Sequence, residues 1–394
     1  MKKNIFFFAL SSSDLMDLYK ILKIKYNIIW IVYYKDVYEI LKKENIKEIY
    51  YLNPSLRIFD SKNIFIKLIR YLISFFNIKI KNKNFFKSLQ ELEKNYNPKI
   101  IFTDTSQLLA NYQTRALKIN TRHSVCYKKY FLNEVNFKYD YILLPGNYHK
   151  ERIKKIYDLK NVDEKFKVVG NIKISQFLKN NNFNRTNFIK SMNLDPAKKN
   201  VLFAPSWDAH ENNFFGRPRF LPKKYGNQYS ALEKIAKNVD QLNCNFIIKL
   251  HHLSHFHLKD KVFNVLDDLK NCFIFKSAAY HDISSSDDIF RVSDIIVTNT
   301  SGVASTGIFL KKKLVFINPR SSYNWSHSDL EKELRPGFIC DSFDEVIKGI
   351  ENYSKDKDPY IKERENFVEK IFANPTEDAN VKIAELIPQI LSKN

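Results

Sequence analysis

The stretch Ser293–Pro319, SDIIVTNTSGVASTGIFLKKKLVFINP, contains the pattern that decides the fold. Its first apolar run, Asp294–Thr298, predicts a buried strand. The residues Val303–Leu310 predict a helix, and Leu314–Ile317 predict a second buried strand. A strand, a helix and a strand in this order are typical of a parallel βαβ unit.

The turn before this predicted helix is suited to binding a phosphate group. It contains Thr300, Ser301 and Gly302, so it offers two hydroxyl groups and a residue that allows close approach of the backbone. The first N–H groups of a helix lack partners and carry the positive end of the helix dipole. The alternative interpretation is that Thr300 or Ser301 only caps the helix.

The same alternation of strands and helices extends over the whole chain. Strands of a first series are predicted at Asn4–Leu10, Ile28–Tyr34, Glu48–Leu52, Lys99–Thr103, Tyr139–Leu144 and Phe166–Val169, and those of a second series at Val201–Ala204, Phe246–Leu250, Cys272–Phe275, Asp294–Thr298 and Leu314–Ile317. Apolar strands of this kind predict parallel sheets that are covered on both faces. We therefore expect an α/β protein with two doubly wound domains. Their predicted bounds are 1–170 and 171–357, followed by helices over 358–394 that possibly cross back to the first domain.

The charge and cysteine content limit the class of protein. The 394 residues contain 64 Lys and Arg against 43 Asp and Glu, a net charge of +21, and most of the excess lies in residues 1–165. An anionic partner or an anionic membrane face fits this charge. We expect no nucleic acid, because the basic residues are mostly Lys and no nucleic-acid motif is present. The four cysteines lack CxxC spacing, which favours a reducing compartment and excludes a zinc site of the paired-cysteine type.

Membrane contact is predicted at the surface only. The widest apolar stretch, Ile64–Ile80, is interrupted by Lys67, Arg70 and Lys79, so no segment is expected to span a bilayer. The same stretch has the apolar stripe and flanking lysines of a helix that lies in a membrane interface. An ordinary core-packed helix explains the pattern equally well. The chain is therefore expected to be cytoplasmic and peripheral on the inner face of the cell membrane.

Two further segments of the second domain follow predicted strands. In FIIKLHHLSHFH, the cation of Lys249 and the imidazoles of His251 and His252 could neutralise a diphosphate. No metal is predicted there, since neither a carboxylate nor a cysteine completes a ligand set. In VLFAPSWDAH, Ser206 and Trp207 could line a nucleotide pocket, although plain packing of the tryptophan is as good an explanation.

One segment of the first domain carries a candidate base. In INTRHSVCYKKYF, His123 follows a short apolar run and has Arg122 and Lys128 nearby. An imidazole beside cations could act as a base that faces an anionic acceptor. A single histidine is more often structural, so the spacing alone supports this role only weakly.

Taken together, these segments resemble a known family. The motifs YDYILLPGNYHKERI, VVGN, VLFAPSWD, IIKLHH, SDIIVTNTSGVAST and ELRPGF follow one another in the order found in the CDP-glycerol glycerophosphotransferase family. That family contains teichoic-acid and capsule polymerases and primases. The resemblance covers residues 100–355, roughly, and implies a GT-B fold, in which two Rossmann-like domains face each other across a cleft.

The resemblance also implies an activity and roles for individual residues. The reaction would move glycerol phosphate or a related polyol phosphate from a CDP-activated donor to an acceptor hydroxyl, without a covalent intermediate and with no cofactor firmly implied. By motif position, His123 would be the base, His251 would contact the donor diphosphate, and Ser301 would be one of two paired serines. The sequence departs from the family where His252 replaces a proline and Gly302 replaces the second serine. The acceptor would be an anionic or lipid-linked glycan.

Other functions remain open at this point. A GT-B glycosyltransferase that uses a CMP- or UDP-sugar for capsule or lipooligosaccharide synthesis would have a similar arrangement of motifs. A non-hydrolysing sugar-nucleotide epimerase and a noncatalytic nucleotide-binding subunit are further alternatives.

Overall fold

The computed structural model describes the chain except residues 1, 10–12, 33–34, 53–82, 105–108, 122–136, 158–161, 180–182, 206–227, 250–268, 270, 276–282, 299–301, 318–334, 341, 374 and 394. The chain forms two compact units. The first comprises Met1–Lys179 and Lys370–Asn394, and the second comprises Asn180–Glu369.

The first unit contains a parallel sheet and the helices that cover it. Its described strands are β1 (Asn4–Ala9), β2 (Asn27–Val32), β3 (Ile49–Tyr51), β4 (Ile100–Thr103), β5 (Leu117–Asn120), β6 (Tyr141–Leu144) and β7 (Phe166–Val168). Its described helices are α1 (Ser13–Leu22), α2 (Lys35–Lys43), α3 (Lys83–Tyr96), α4 (Asn147–Tyr157), α5 (Val162–Lys165) and α6 (Ile172–Lys179).

The second unit repeats this architecture. Its described strands are β8 (Asn200–Phe203), β9 (Asn245–Ile248), β10 (Cys272–Ile274), β11 (Ile295–Thr298), β12 (Lys313–Ile317) and β13 (Phe338–Cys340). Its described helices are α7 (Arg185–Ser191), α8 (Gln228–Gln241), α9 (Ile283–Val292), α10 (Gly302–Phe309) and α11 (Phe343–Ser354). Two more helices follow along the chain. Most of α12 (Ile361–Ile371) belongs to the second unit, and α13 (Ala379–Lys393) belongs to the first.

Both sheets are parallel throughout the described residues. The strand order is β3-β2-β1-β4-β5-β6-β7 in the first sheet and β10-β9-β8-β11-β12-β13 in the second. In each sheet, the first three strands along the chain extend the sheet toward one edge. The fourth strand then pairs with the first, and the later strands extend the sheet toward the other edge. The prediction of an α/β protein with two doubly wound sheets is confirmed. The strands β5 and β13 are absent from the sequence-based assignment.

The central strands are apolar because both of their faces are buried. In β1, Ile5 and Phe7 pack in a cluster with Trp30 of β2, while Phe6 and Phe8 pack in a second cluster on the other face of the sheet. All of these side chains have no exposed surface. Successive residues of a strand point to opposite faces, so a strand that is buried on both faces requires an unbroken apolar run.

The C-terminal residues belong to the first unit. The Ala373 N–H donates to the Pro145 carbonyl oxygen at 2.8 Å, and the Ala379 N–H donates to Ser175 Oγ at 2.8 Å. Lys179 Nζ lies 2.6 Å from Asp378 Oδ2. On α13, three isoleucines are buried in the cluster that contains β1 and α1, namely Ile383, Ile387 and Ile390.

The boundaries of the compact units differ from the sequence-based bounds. Residues 171–179 belong to the first unit, because α6 packs against α1 and α13. Residues 358–369 belong to the second unit. There the Arg364 guanidinium pairs with the Asp358 carboxylate, and Tyr360 packs edge-on against Phe338 of β13.

We expect Gly146→Ala to destabilise the first unit. A Cβ at Gly146 would overlap the backbone carbonyl oxygen of Ile371. A backbone atom cannot rotate aside as the end of a flexible side chain can. The expected loss is about 1–3 kcal/mol, as for overpacking in general. The measurement is the midpoint of urea unfolding.

The matched control for this prediction is Gly349→Ala on α11. A Cβ there would lie 3.4 Å from Phe338 Cβ and from the Val315 methyl groups, which is ordinary contact. Because alanine favours the helix interior over glycine by about 0.5–1 kcal/mol, this control should unfold at the same or a higher urea concentration. Equal midpoints for the two variants would contradict the prediction.

Candidate functional site

The switch point of the second sheet lies between β8 and β11. These two strands are adjacent, and the sheet extends from them in opposite directions. In doubly wound sheets, ligands bind at the carboxyl ends of the strands on either side of this point. The candidate site is therefore defined by the residues that follow β8, β9 and β11.

The ends of β8 and β11 are joined by two hydrogen bonds. The Ala204 N–H donates to the Val297 carbonyl oxygen at 2.9 Å. The Thr298 hydroxyl is buried and donates to the Ala204 carbonyl oxygen at 2.7 Å. These bonds fix the point where the chain leaves each strand.

Lys249 directly follows β9 at the same edge of the sheet. Its backbone N–H donates to the Phe203 carbonyl oxygen at 2.9 Å, and its side chain is partly exposed. Because only β8 separates β9 from β11, the ends of these two strands are about 10 Å apart. A diphosphate at the switch point would lie within reach of this long, cationic side chain.

The helix α10 begins at Gly302, four residues after the end of β11. Its sequence GVASTGIF contains mostly small side chains, and five of its eight residues are buried. Small residues let the helix lie close to β11 and β12: a Cβ at Gly307 would come within 2.8 Å of Ile296 Cδ1. The N–H groups of its first turn are directed at the carboxyl edge of the sheet, where an anion would bind.

Two of the predicted site residues lie at this edge of the second sheet, Lys249 after β9 and Gly302 at the start of α10. The other residues predicted to bind the donor lie outside the described residues, namely Ser206, Trp207, His251, His252, Thr300 and Ser301. The same holds for Arg122, His123 and Lys128 of the first domain. Their roles remain predictions from the sequence.

The first sheet has a corresponding switch point between β1 and β4. Two polar residues that the sequence analysis overlooked are buried at its carboxyl edge, Asp104 after β4 and Thr121 after β5. The Thr121 N–H donates to the Thr103 carbonyl oxygen at 2.8 Å. Asp104 directly follows the apolar run IIFT, and this position after a strand is the signal in the sequence that indicates it.

Among the residues with described positions, no group of three or more His, Cys, Asp or Glu side chains is arranged to hold a metal ion. Within the same residues, no helix is both long enough and apolar enough to cross a membrane.

The chain is similar to one protein family over nearly its whole length. Residues 3–389 match the family described as CDP-Glycerol:Poly(glycerophosphate) glycerophosphotransferase. A structure of the wall teichoic acid polymerase TagF soaked with CDPG is similar, with a TM-score of 0.62 and 16% identity over 100% of this chain and 90% of that chain. The comparison with curated proteins found no match.

Two structures of other proteins are similar to the same extent. The S. aureus MnaA–UDP co-structure has a TM-score of 0.63 and 15% identity over 100% of this chain and 97% of that chain. The UDP-GlcNAc 2-epimerase from Neisseria meningitidis bound to UDP-GlcNAc has a TM-score of 0.59 and 15% identity, with 100% of both chains covered. At these identities the structures show the fold, and the predicted GT-B class is confirmed.

We expect Gly307→Val to weaken nucleotide binding. The added Cβ would lie 2.8 Å from Ile296 Cδ1, so the valine has to displace this buried side chain or shift α10, with its first N–H groups, from the switch point. A loss of one good anion contact corresponds to about a tenfold weaker affinity, or about 1.4 kcal/mol. Isothermal titration with a panel of nucleoside diphosphates measures the change.

The control for this prediction is Gly146→Ala, which disturbs the first unit and leaves the second sheet untouched. It should bind the same nucleotide with unchanged affinity. An unchanged affinity in Gly307→Val would contradict the prediction, because it would show that the distance of α10 from β11 does not affect nucleotide binding.

Proposed function

Because the chain belongs to the CDP-glycerol:poly(glycerophosphate) glycerophosphotransferase family, we propose that it transfers glycerol phosphate, or a related polyol phosphate, from a CDP-activated donor to an acceptor hydroxyl. It is an enzyme that uses a nucleotide-activated donor. The observation that carries the proposal is the match of nearly the whole chain, residues 3–389, to this one family. Transfer to a growing acceptor builds a surface polysaccharide or a teichoic-acid-like polymer.

The reaction makes one bond and breaks one. The acceptor oxygen forms a bond to the phosphorus that carries the glycerol, and the bond from that phosphorus to the bridging oxygen breaks, so that CMP leaves. The proton of the acceptor hydroxyl passes to a base. Because charge collects on the leaving phosphate, positioning together with cations and N–H donors supplies most of the acceleration.

The second domain is proposed to hold the donor. The described geometry supports this through the partly exposed Lys249 and through the N-terminus of α10 at the switch point. By motif, His251 contacts the diphosphate, and Thr300 and Ser301 donate their hydroxyls to phosphate oxygens. His252 adds a further contact to the diphosphate, while the nucleotide lies against the two residues after β8, Ser206 and Trp207.

The first domain is proposed to hold the acceptor. His123 takes the proton of the acceptor hydroxyl, while Arg122 and Lys128 contact the anionic groups of a glycan or of its lipid-linked carrier. The described structure supports this location through Thr121, which is buried at the carboxyl edge of the first sheet and precedes Arg122 directly. Ligands of doubly wound domains bind at that edge.

We also propose that the enzyme works at the inner face of the cell membrane. Support comes from the excess of lysines in the first 165 residues and from the amphipathic pattern of Ile64–Ile80. Each cation near an anionic surface contributes about 1 kcal/mol to binding. A lipid-linked acceptor would be present at the same surface.

We expect His251→Ala to lose most of the stabilisation by CDP-glycerol and by CDP. A ligand at 100 times its dissociation constant adds about 2.7 kcal/mol to the free energy of unfolding, which raises the melting temperature by about 5–11 °C in a domain of this size. Thermal shift measurements with CDP-glycerol, CDP, CMP, UDP, CMP-sugars and UDP-sugars test the prediction.

The matched control is His257→Ala, which removes another imidazole of the segment FIIKLHHLSHFH, one to which no role is assigned. It should keep the full shift. A full thermal shift in His251→Ala would contradict the assignment of this histidine to the donor diphosphate. Stabilisation of the wild type by CMP- or UDP-sugars, with none by CDP-glycerol, would favour a glycosyltransferase.

We expect His123→Ala to lower turnover by at least about 100-fold, because a positioned general base contributes about 10²–10⁴-fold. Donor binding should be unaffected, so the thermal shift by CDP-glycerol should equal that of the wild type. Turnover is measured as the amount of CMP released, which is quantified by chromatography. Wild-type turnover in this variant would exclude His123 as the base.

A further inference from the structure

One half of the amino edge of the first sheet is strongly basic. The segments that lead into β1, β2, β3 and β4 are residues 2–3, 23–26, 42–48 and 94–99. Together they contain nine lysines against two glutamates, and all nine lysines are exposed. Because the strands are parallel, the four segments meet at the same edge of the sheet. We call the lysines of these segments the lysine surface.

The other half of the same edge is electrically balanced. The segments that lead into β5, β6 and β7 are residues 111–116, 137–140 and 162–165. They contain three cations and three carboxylates. A chain that is merely rich in lysine would carry its excess on both halves, so the lysine surface is a local feature of the first unit.

The lysine surface is not neutralised by carboxylates of the chain. Within the residues that the structure describes, none of its ammonium groups forms an ion pair. The amino edge of the second sheet differs, since Lys199 and Lys313 there both pair with Asp356, at 2.7 and 2.8 Å. Crowded charges of one sign produce a field that attracts an anionic partner.

Helix termini explain only part of this pattern. Lys42 and Lys43 lie in the last turn of α2, Lys94 lies in the last turn of α3, and Lys23 directly follows α1. Cations at these places stabilise the helix dipole. The remaining lysines lie outside the helices and have no such role, namely Lys2, Lys3, Lys25, Lys47 and Lys99.

The lysine surface is broad enough to contact several charges of one chain. Its segments lead into four strands that lie side by side in the order β3-β2-β1-β4. Three strand spacings of about 4.8 Å make a row about 14 Å long. The four segments contain no arginine. Lysine ammonium groups act as point charges on flexible stems, so they suit a repeating anion that has no fixed orientation.

We propose that the lysine surface binds the anionic polymer that the enzyme builds, a chain of polyol phosphate units joined by phosphodiesters; the inference rests on the proposed function. Each phosphodiester carries one negative charge, so a stretch of a few units places several charges along the row of lysines. Contacts that are weak one by one add up because they belong to the same chain. The surface thereby keeps the growing chain on the first unit between successive transfers.

The fold favours the polymer over a bilayer, which is also anionic. The membrane contact proposed above involves Ile64–Ile80, between the end of β3 and the start of α3. Near the start of α3, Phe85 packs edge-on against Phe8 in the carboxyl half of β1, so that stretch begins and ends toward the carboxyl edge. The lysine surface lies at the opposite edge. The one large apolar side chain exposed among its described residues is Ile24, and single apolar side chains are ordinary on protein surfaces.

The distance between the two edges makes the effect depend on the length of the acceptor. β1 has six residues, so it spans about 20 Å from the amino edge to the carboxyl edge. A chain that receives a unit at the carboxyl edge must extend over at least this distance before it contacts the lysines. The surface therefore holds long acceptors and does not hold short ones.

The experiment measures the binding of a poly(glycerol phosphate) chain of tens of units, labelled with a fluorophore at one end, by fluorescence anisotropy. The test variant is Lys25→Gln/Lys47→Gln/Lys99→Gln, which removes one exposed charge before each of β2, β3 and β4. We expect the wild type to bind this polymer and the test variant to bind it about tenfold more weakly. The affinity should fall as salt is added, and less steeply in the test variant.

The matched control is Lys348→Gln/Lys357→Gln/Lys362→Gln, which removes three exposed lysines of the second unit and has the same net charge as the test variant. Because a local surface is proposed to bind the polymer, the control should keep the wild-type affinity within about twofold. Equal affinities of the two variants, or no binding of the polymer by the wild type, would overturn the inference. A loss of binding to phosphatidylglycerol vesicles alone would assign the lysine surface to a bilayer and would overturn it as well.

Turnover separates the failure of this inference from the failure of the proposed function. At saturating CDP-glycerol, the test variant should have a KM about tenfold higher for an acceptor of tens of units, and a KM within about twofold of the wild type for an acceptor of a single unit. Unchanged values for both acceptors, beside an active wild type, would overturn only the role of the lysine surface. No turnover of CDP-glycerol by the wild type would overturn the proposed function, whereas polymer binding is measured without turnover.

Discussion

The pairing of β8 with β11 is the constraint on which the proposed donor site depends. Because the strands are parallel, their carboxyl ends share one edge, and the hydrogen bond from the Thr298 hydroxyl to the Ala204 carbonyl oxygen fixes both ends there. β9 then places Lys249 on one side of this point, and α10 presents its first N–H groups on the other. The first sheet has the same topology, and Asp104 and Thr121 are buried after β4 and β5 at its carboxyl edge.

The amino edge of the second sheet is built differently. The Asp294 carboxylate accepts hydrogen bonds from the Arg185 guanidinium and from the Asn200 N–H, both at 2.8 Å. Burial lowers the pKa of the adjacent Lys312 to about 8, and its ammonium donates to the Arg291 carbonyl oxygen at 2.8 Å. These charged groups hold strands and helices together at the edge opposite to the proposed donor site.

The sequence predicts the strands whose apolar residues are continuous, such as β1 and β11, and with them the class of fold and the edge that carries Lys249 and Gly302. It does not predict β5, because Lys118 and Asn120 interrupt the run LKIN. The Lys118 ammonium is accommodated by a tertiary contact, since it donates to the carbonyl oxygens of Ala110 and Tyr112 at 3.1 and 3.0 Å. The burial of Asp104 likewise depends on neighbouring strands, which local spacing does not reveal.

The central claim is that the enzyme moves glycerol phosphate, and ³¹P NMR of CDP-glycerol incubated with the wild type and a glycerol-phosphate-primed acceptor tests it most directly. The account predicts that the diphosphate signals disappear while CMP and a new phosphodiester signal appear in equal amounts. An unchanged CDP-glycerol spectrum, beside consumption of a CMP- or UDP-sugar by the same preparation, would contradict it.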